Sequence, residues 1–183
     1  MTKQEFLQMK KETSREMRLL YHEMIYKKDK GIAKTKKYAP LWIDISCRHA
    51  KKSIYACVAS EHLRVYQGLM PQLMNPDMDV KLLFNGWPTD QNDMMIVSTL
   101  MQAGRAKVCK TNPNWSEYLS VDLSGFLVQQ NPNKYYLSAN NFSIARKINE
   151  IVTEKWCQPT HVASHLSINP FDYIRPRQND TNN

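Results

Sequence analysis

The chain predicts an α/β fold, a mixed central sheet flanked by helices and preceded by an amphipathic helix. Three observations carry this. Short apolar runs, "SIYACVAS", "VKLLF" and "AKVCK", recur between residues 53 and 110, separated by stretches with helical spacing, which is the rhythm of strands joined by crossover helices. Beyond residue 110 the strand candidates lie closer together, and "QNPN" sits between two of them, the chemistry of a hairpin turn. Apolar residues make up 42% of 183 positions, enough for one domain with its own core.

The first element is expected over residues 5–26. Phe6, Met9, Thr13, Met17, Leu20 and Met24 fall at intervals of three and four, which places them on one stripe of a helix. Gly31 is its stop signal. From Leu41 to about Lys52 the pattern is again helical, and Ser53–Ser60 reads as a buried strand. Residues 61–74 suit a helix with a break near Pro71. Val80–Phe84 is a second strand. Thr89 or Asp90 caps a helix that runs to Gln102, with Met94, Met95, Val97, Leu100 and Met101 as its apolar face and Gly104 closing it. Ala106–Lys110, Glu117–Val121, Phe126–Gln129 and Lys134–Ser138 complete the strands, and a helix follows from about Asn141 to Trp156 until Pro159 ends it. The expected organisation is an N-terminal helix and basic connector over 1–37, an α/β domain over 38–160 and a polar tail over 161–183.

The charge is unevenly placed. The chain carries a net +8, and residues 1–52, with 14 Lys/Arg against 6 Asp/Glu, hold all of it. The densest run, "KKDKGIAKTKK" from Lys27 to Lys37, has six lysines. Such a run neutralises phosphates by releasing counterions, or it is a solvated connector; both readings stand at this point. No stretch approaches the roughly 20 apolar residues that cross a bilayer, so no membrane insertion is expected. Cys47, Cys57, Cys109 and Cys157 are scattered without a CxxC pair, which suits reduced thiols in a cytoplasmic protein.

The segment "LSGFLVQQNPNKYYLSANNFS", Leu123 to Ser143, raises the functional question. Its end, "LSAN", resembles the G-S-x-N element of the phospholipase D superfamily pattern H-x-K-x4-D-x6-G-S-x-N. In that pattern the histidine attacks phosphorus, the lysine holds phosphate oxygens, and Ser and Asn complete the cradle. The upstream segments "AKKSIYACVAS", "PDMDVKLLF" and "LMQAGRAKV" look like that family's opening elements in the same order. The resemblance covers about residues 41–157 and is closest to small bacterial nucleases with one motif per chain. It implies a phospholipase D-like sandwich and a homodimer that joins two half-sites.

The motif's contents are missing. At the family's spacing, Leu123 stands in the histidine position, Gly125 in the lysine position and Gln130 in the aspartate position, while Ser138 and Asn140 match. Leucine forms no phosphohistidine and glycine neutralises no phosphate. "HAKK" brings a lysine close behind His49, but it opens the first strand, the wrong element; His22, His62, His161 and His165 have no lysine two places on. A non-catalytic domain, a pseudoenzyme with no cofactor, is therefore expected.

Other constellations are weaker. Cys157, His161 and His165 recur every four residues, but Pro159 interrupts the helix they would share, so no metal is expected. Asp90, Asp93 and Asp122 are the carboxylates nearest the rim of the site, and paired acids can bind a divalent ion; helix capping and surface charge explain the first two more simply. Trp87 and Trp115 lie on expected loops and are candidates for partner contact. Lys34, Lys36, Lys37, Arg48, Lys51 and Lys52 are the candidates for nucleic-acid binding. The leading reading is a binding protein acting on nucleic acid or in DNA processing, in a mobile-element, defence or plasmid-transfer setting suggested by analogy. A protein-binding inhibitor or adaptor, or a nuclease with an unfamiliar site, are the alternatives.

Overall fold

A computed structural model of the chain describes residues 33–35, 39–131, 134–139 and 141–157. The expected helix over 5–26, the tail over 161–183, and Lys36, Lys37, Asn140, His161 and His165 lie outside the described residues.

Among the described residues, seven strands form one sheet. They are β1 (Ala33–Thr35), β2 (Ser53–Val58), β3 (Asp79–Asn85), β4 (Ala106–Cys109), β5 (Tyr118–Val121), β6 (Gly125–Asn131) and β7 (Lys134–Ser138). The spatial order is β1-β7-β6-β5-β2-β3-β4. The sheet is mixed for a chain-length reason. β2, β3 and β4 are joined by helical crossovers and pair in parallel, whereas β5, β6 and β7 follow one another through short connections and pair antiparallel. β2 joins the halves through an antiparallel pairing with β5.

Four α-helices of the described residues cover one face: α1 (Ala39–Arg48), α2 (Leu63–Gly68), α3 (Met70–Leu73) and α4 (Gln91–Gln102). Trp42, Ile43, Leu63, Leu73 and Leu100 from these helices bury against Ile54, Leu82, Leu127 and Leu137. The other face belongs to α5 (Phe142–Cys157), whose Ile144, Ile148, Ile151 and Val152 pack on Leu83, Phe126 and Tyr136. Strand residues alternate between the two cores, as a pleated sheet requires.

Several expectations change. Residues 33–35, expected within the basic connector, form an edge strand antiparallel to β7, with Lys34 opposite Tyr136; the unpaired edge of β7 recruits them whatever their charge. The helix expected over 61–74 opens as a 3₁₀ turn at Ser60–His62 and continues as α2 and α3; the break expected near Pro71 is present and falls at Leu69, two residues ahead of it. In α4 the buried residues are Ile96, Val97 and Leu100, while Met94 and Met95 are exposed. The cap of α4 is Asp90, whose carboxylate accepts from the N–H groups of Asn92 and Asp93. Cys47, Cys57 and Cys109 are buried as small core residues.

Candidate functional site

The site begins at the turn between β5 and β6. Ser124 N donates to Val121 O at 3.0 Å, closing a tight turn over Asp122 and Leu123. Both central residues have positive φ, 52° and 58°, the backbone that hairpins use because it follows the sheet's twist. Asparagine, aspartate and glycine accept it readily, and a leucine does not. Leu123 is also 41% exposed. A strained, solvent-facing leucine therefore stands where the resemblance puts the histidine.

Gly125 opens β6. The register that pairs Phe126 with Ser138 carries it alongside Ala139. A Cβ built there meets only Ser138 O, Val121 O and Val121 Cβ at 3.7–3.8 Å, and φ is not positive. These are ordinary contacts, so the backbone does not require glycine; the position simply lacks a side chain. Ser138 is buried beside it, and Asn141 N donates to Ser124 O at 2.7 Å, which draws the start of α5 to the same turn. Asn141, not Ser138, provides the cap for α5, its side chain accepting from Ile144 N at 3.2 Å. Gln130 is exposed near the far end of β6. The fold thus gathers Leu123, Gly125 and Ser138 and leaves Gln130 apart.

The loop from α1 to β2 reaches this end of the sheet because Asp122 holds it. The Asp122 carboxylate accepts from the N–H groups of Lys51 at 2.8 Å, Lys52 at 2.8 Å and Ser53 at 2.9 Å. Three amide donors around one anion make a small nest. Its consequence is positional: the exposed residues His49, Lys51 and Lys52 are fixed beside the turn that carries Leu123. Arg48 sits at the end of α1 and pairs with Asp44 at 2.8 Å. Of the sequence-predicted basic residues, Lys51 lines the pocket described next and Lys52 is held beside it by Asp122; the Arg48 guanidinium turns to Asp44 and toward Gly68 of α2, and Lys34 lies in β1, two strands from β6.

Between these segments is a pocket of about 180 Å³. Trp42, Ile45, Val121 and Ala139 supply its apolar lining, and Gly125 contributes bare backbone. Ser46, His49, Lys51, Asp122 and Ser124 are its polar residues. His49 and Lys51 stand two residues apart, so the triplet that the sequence placed in the wrong element does lie off β6, yet it lines the space beside Gly125. Sequence spacing missed this, because only the Asp122 clamp brings the loop across.

A second polar cluster, at the opposite end of β5, also escaped the sequence reading. His62 Nδ1 lies 2.6 Å from Glu117 Oε2 and both side chains are buried. Tyr135 donates to Glu61 at 2.9 Å, and Ala59 N donates to Glu117 at 3.4 Å. Burial pushes the His62 imidazole down, but the hydrogen bond and charge of Glu117 outweigh it and hold His62 above its ordinary value. Burial pushes the Glu117 carboxyl up against the opposing pull of His62. A glutamate at the head of an apolar strand candidate was the only available signal.

The remaining candidates separate clearly. Trp115 is half-buried, donates its Nε1–H to Val58 O at 3.0 Å and lies under the Lys155 ammonium; it anchors its own loop. Trp87 is 55% exposed. Asp90 and Asp93 belong to the first turn of α4. Cys157 is exposed, and among the described residues no three His, Cys, Asp or Glu side chains are grouped as metal ligands. No described helix is long and apolar enough to cross a membrane.

The sequence matches no protein-family profile and no curated protein. Solved structures do resemble it. TrmBL2, an archaeal chromatin protein with a novel mode of DNA binding, matches with a TM-score of 0.54 and 12% identity over 87% of this chain, which spans 64% of that protein. Nuc from Salmonella typhimurium, a phospholipase D family member, matches with a TM-score of 0.51 and 14% identity, covering 73% of this chain and 97% of Nuc. NucT from Helicobacter pylori matches with a TM-score of 0.51 and 10% identity, covering 72% and 97%. The chain has a phospholipase D-like fold.

Proposed function

We propose that this protein is a non-catalytic phospholipase D-like domain that binds nucleic acid at the emptied end of its sheet. The observation that carries the reading is the Asp122 clamp. It holds the Lys51–Ser53 backbone by three amide hydrogen bonds of 2.8–2.9 Å and so presents Lys51 and Lys52 beside Leu123 and Gly125, the positions that in this reading replace the family's nucleophile and phosphate-binding lysine. Phosphate contact needs cations on a rigid mount, not catalytic groups. Lys34, Lys36 and Lys37 add to the basic run in the sequence. The fold of a DNA-binding chromatin protein is a neighbour, which supports the same direction. In this reading the protein acts as a homodimer in a DNA-processing, defence or plasmid-transfer setting.

Anisotropy titrations of labelled DNA at two salt concentrations test it, with a gel alongside. Binding should weaken steeply with salt, fall in Lys51→Ala/Lys52→Ala, and leave the DNA uncut. Cleavage abolished by His49→Ala would replace the non-catalytic reading with a nuclease whose groups come from the α1–β2 loop. A second reading has its own observation: Trp87, Met94 and Met95 are exposed on the β3–α4 loop and early α4, a set suited to a protein partner. Salt-insensitive capture of a protein, lost in Trp87→Ala, would favour it.

A further inference from the structure

The pocket beside Gly125 has a chemistry that selects its occupant. Its apolar lining comes from Trp42, Ile45, Val121 and Ala139, and it is open because positions 125 and 139 carry no side chain and a methyl. At about 180 Å³ it is smaller than the roughly 300–1,000 Å³ of sites that enclose a whole ligand, so it suits one ring system of a larger molecule. Asp122 is the deciding group. A carboxylate has about four lone-pair sites, and three are used by the amides of Lys51, Lys52 and Ser53, one on Oδ2 and two on Oδ1. One acceptor site remains, on Oδ2.

Charge then excludes two occupants. A phosphate entering the pocket would meet the Asp122 carboxylate, and like charges at close range repel. An arginine side chain of a basic peptide would satisfy Asp122 but would have to pass the exposed Lys51 and its neighbour Lys52. A neutral planar ring bearing an amino group meets neither objection, and the phosphates attached to it would remain outside among the cations. We infer that the pocket between α1 and the β5–β6 turn takes one unstacked nucleobase of a single strand, with the exocyclic amine of cytosine, adenine or guanine donating to Asp122. Ring burial against aromatic and apolar side chains is the usual way single strands are held, and a carboxylate accepting from the cytosine amine is an established base contact. Thymine presents no exocyclic amine. The inference rests on the nucleic-acid reading above and adds single-strand and base preference to it.

The test uses fluorescein-labelled oligo-dC, oligo-dA, oligo-dT and a duplex, titrated at low salt by anisotropy with the wild-type chain and with Gly125→Val and Ala139→Val. Oligo-dC and oligo-dA should bind about tenfold more tightly than oligo-dT and duplex. Both variants should lose that margin and retain the weaker, base-independent binding, with thermal melting by circular dichroism showing that they fold. Should either variant fail to fold, free cytidine, which has no phosphate, should compete with oligo-dC on the wild type while thymidine does not. Equal affinity for all four nucleic acids, a margin that survives both filled pockets, or indifference to cytidine would overturn the pocket inference and leave the nucleic-acid reading intact. Competition by an arginine-rich peptide for the pocket alone would assign it to a protein partner instead. No binding to any nucleic acid would overturn both readings together.

Discussion

At the residue scale, two positions conflict with local preference, and each yields a prediction. Leu123 holds φ at 58° in a turn where glycine is the favoured residue. The left-handed region costs a non-glycine residue roughly 1–2 kcal/mol, part of which glycine's own entropy offsets. Leu123→Gly should therefore raise stability by about 0.5–1 kcal/mol in a urea melt while leaving the fold unchanged; a loss would mean that the leucine packs on something. His62 and Glu117 are the second conflict, a hydrogen-bonded titratable pair in the core. His62→Gln leaves a buried carboxylate without its partner, a loss on the order of 3–5 kcal/mol, and the double change with Glu117→Gln should recover much of it. Both groups titrate above their ordinary values, so the folded state holds protons more tightly than the unfolded one. Their stabilising contribution is present in acid, below the ordinary values of each, and is lost as pH rises through the elevated His62 value. The melting temperature should fall from about pH 5 to about pH 8, and the double variant should flatten that slope.

Elements depend on fewer residues than their length suggests. α4 starts where it does because the Asp90 carboxylate accepts from two amides of the first turn. Asp90→Ala should cost about 1 kcal/mol, and Met95→Lys on the exposed face of the same helix should cost almost nothing in a thermal melt. The helix between residues 61 and 74 was legible as helical and as broken near Pro71; the break falls at Leu69, where φ −99° and ψ 4° leave helical geometry and Pro71 takes its place in the first turn of α3. β1 was not legible at all. Three residues of small and polar character have no strand pattern of their own, and they pair because β7 offers an open edge.

The scale of the whole molecule joins the charge to the site. The net +8 lies in the N-terminal third of the sequence, and the fold brings part of that third, through the Asp122 clamp, to the end of the sheet that carries Leu123 and Gly125. A charge-driven complex follows a logarithmic salt dependence whose slope counts the phosphates contacted. Lys51→Ala/Lys52→Ala should lower that slope by about 2, measured by anisotropy across a salt series, whereas Lys110→Ala, after β4 at the opposite edge of the sheet, should leave it unchanged. Equal effects would mean a diffuse basic surface without a site.

By itself the sequence determined the α/β class, six of the seven strands of the described residues, and the cap and stop of α4 at Asp90 and Gly104. These are written in period, turn residues and spacing, which are local along the chain. The tertiary structure alone decided that His49 and Lys51 line the pocket left by Gly125, that Gln130 lies apart from it, and that His62 and Glu117 share one buried hydrogen bond. Those outcomes depend on contacts between residues 55 to 84 positions apart, for which a strand's periodicity carries no information.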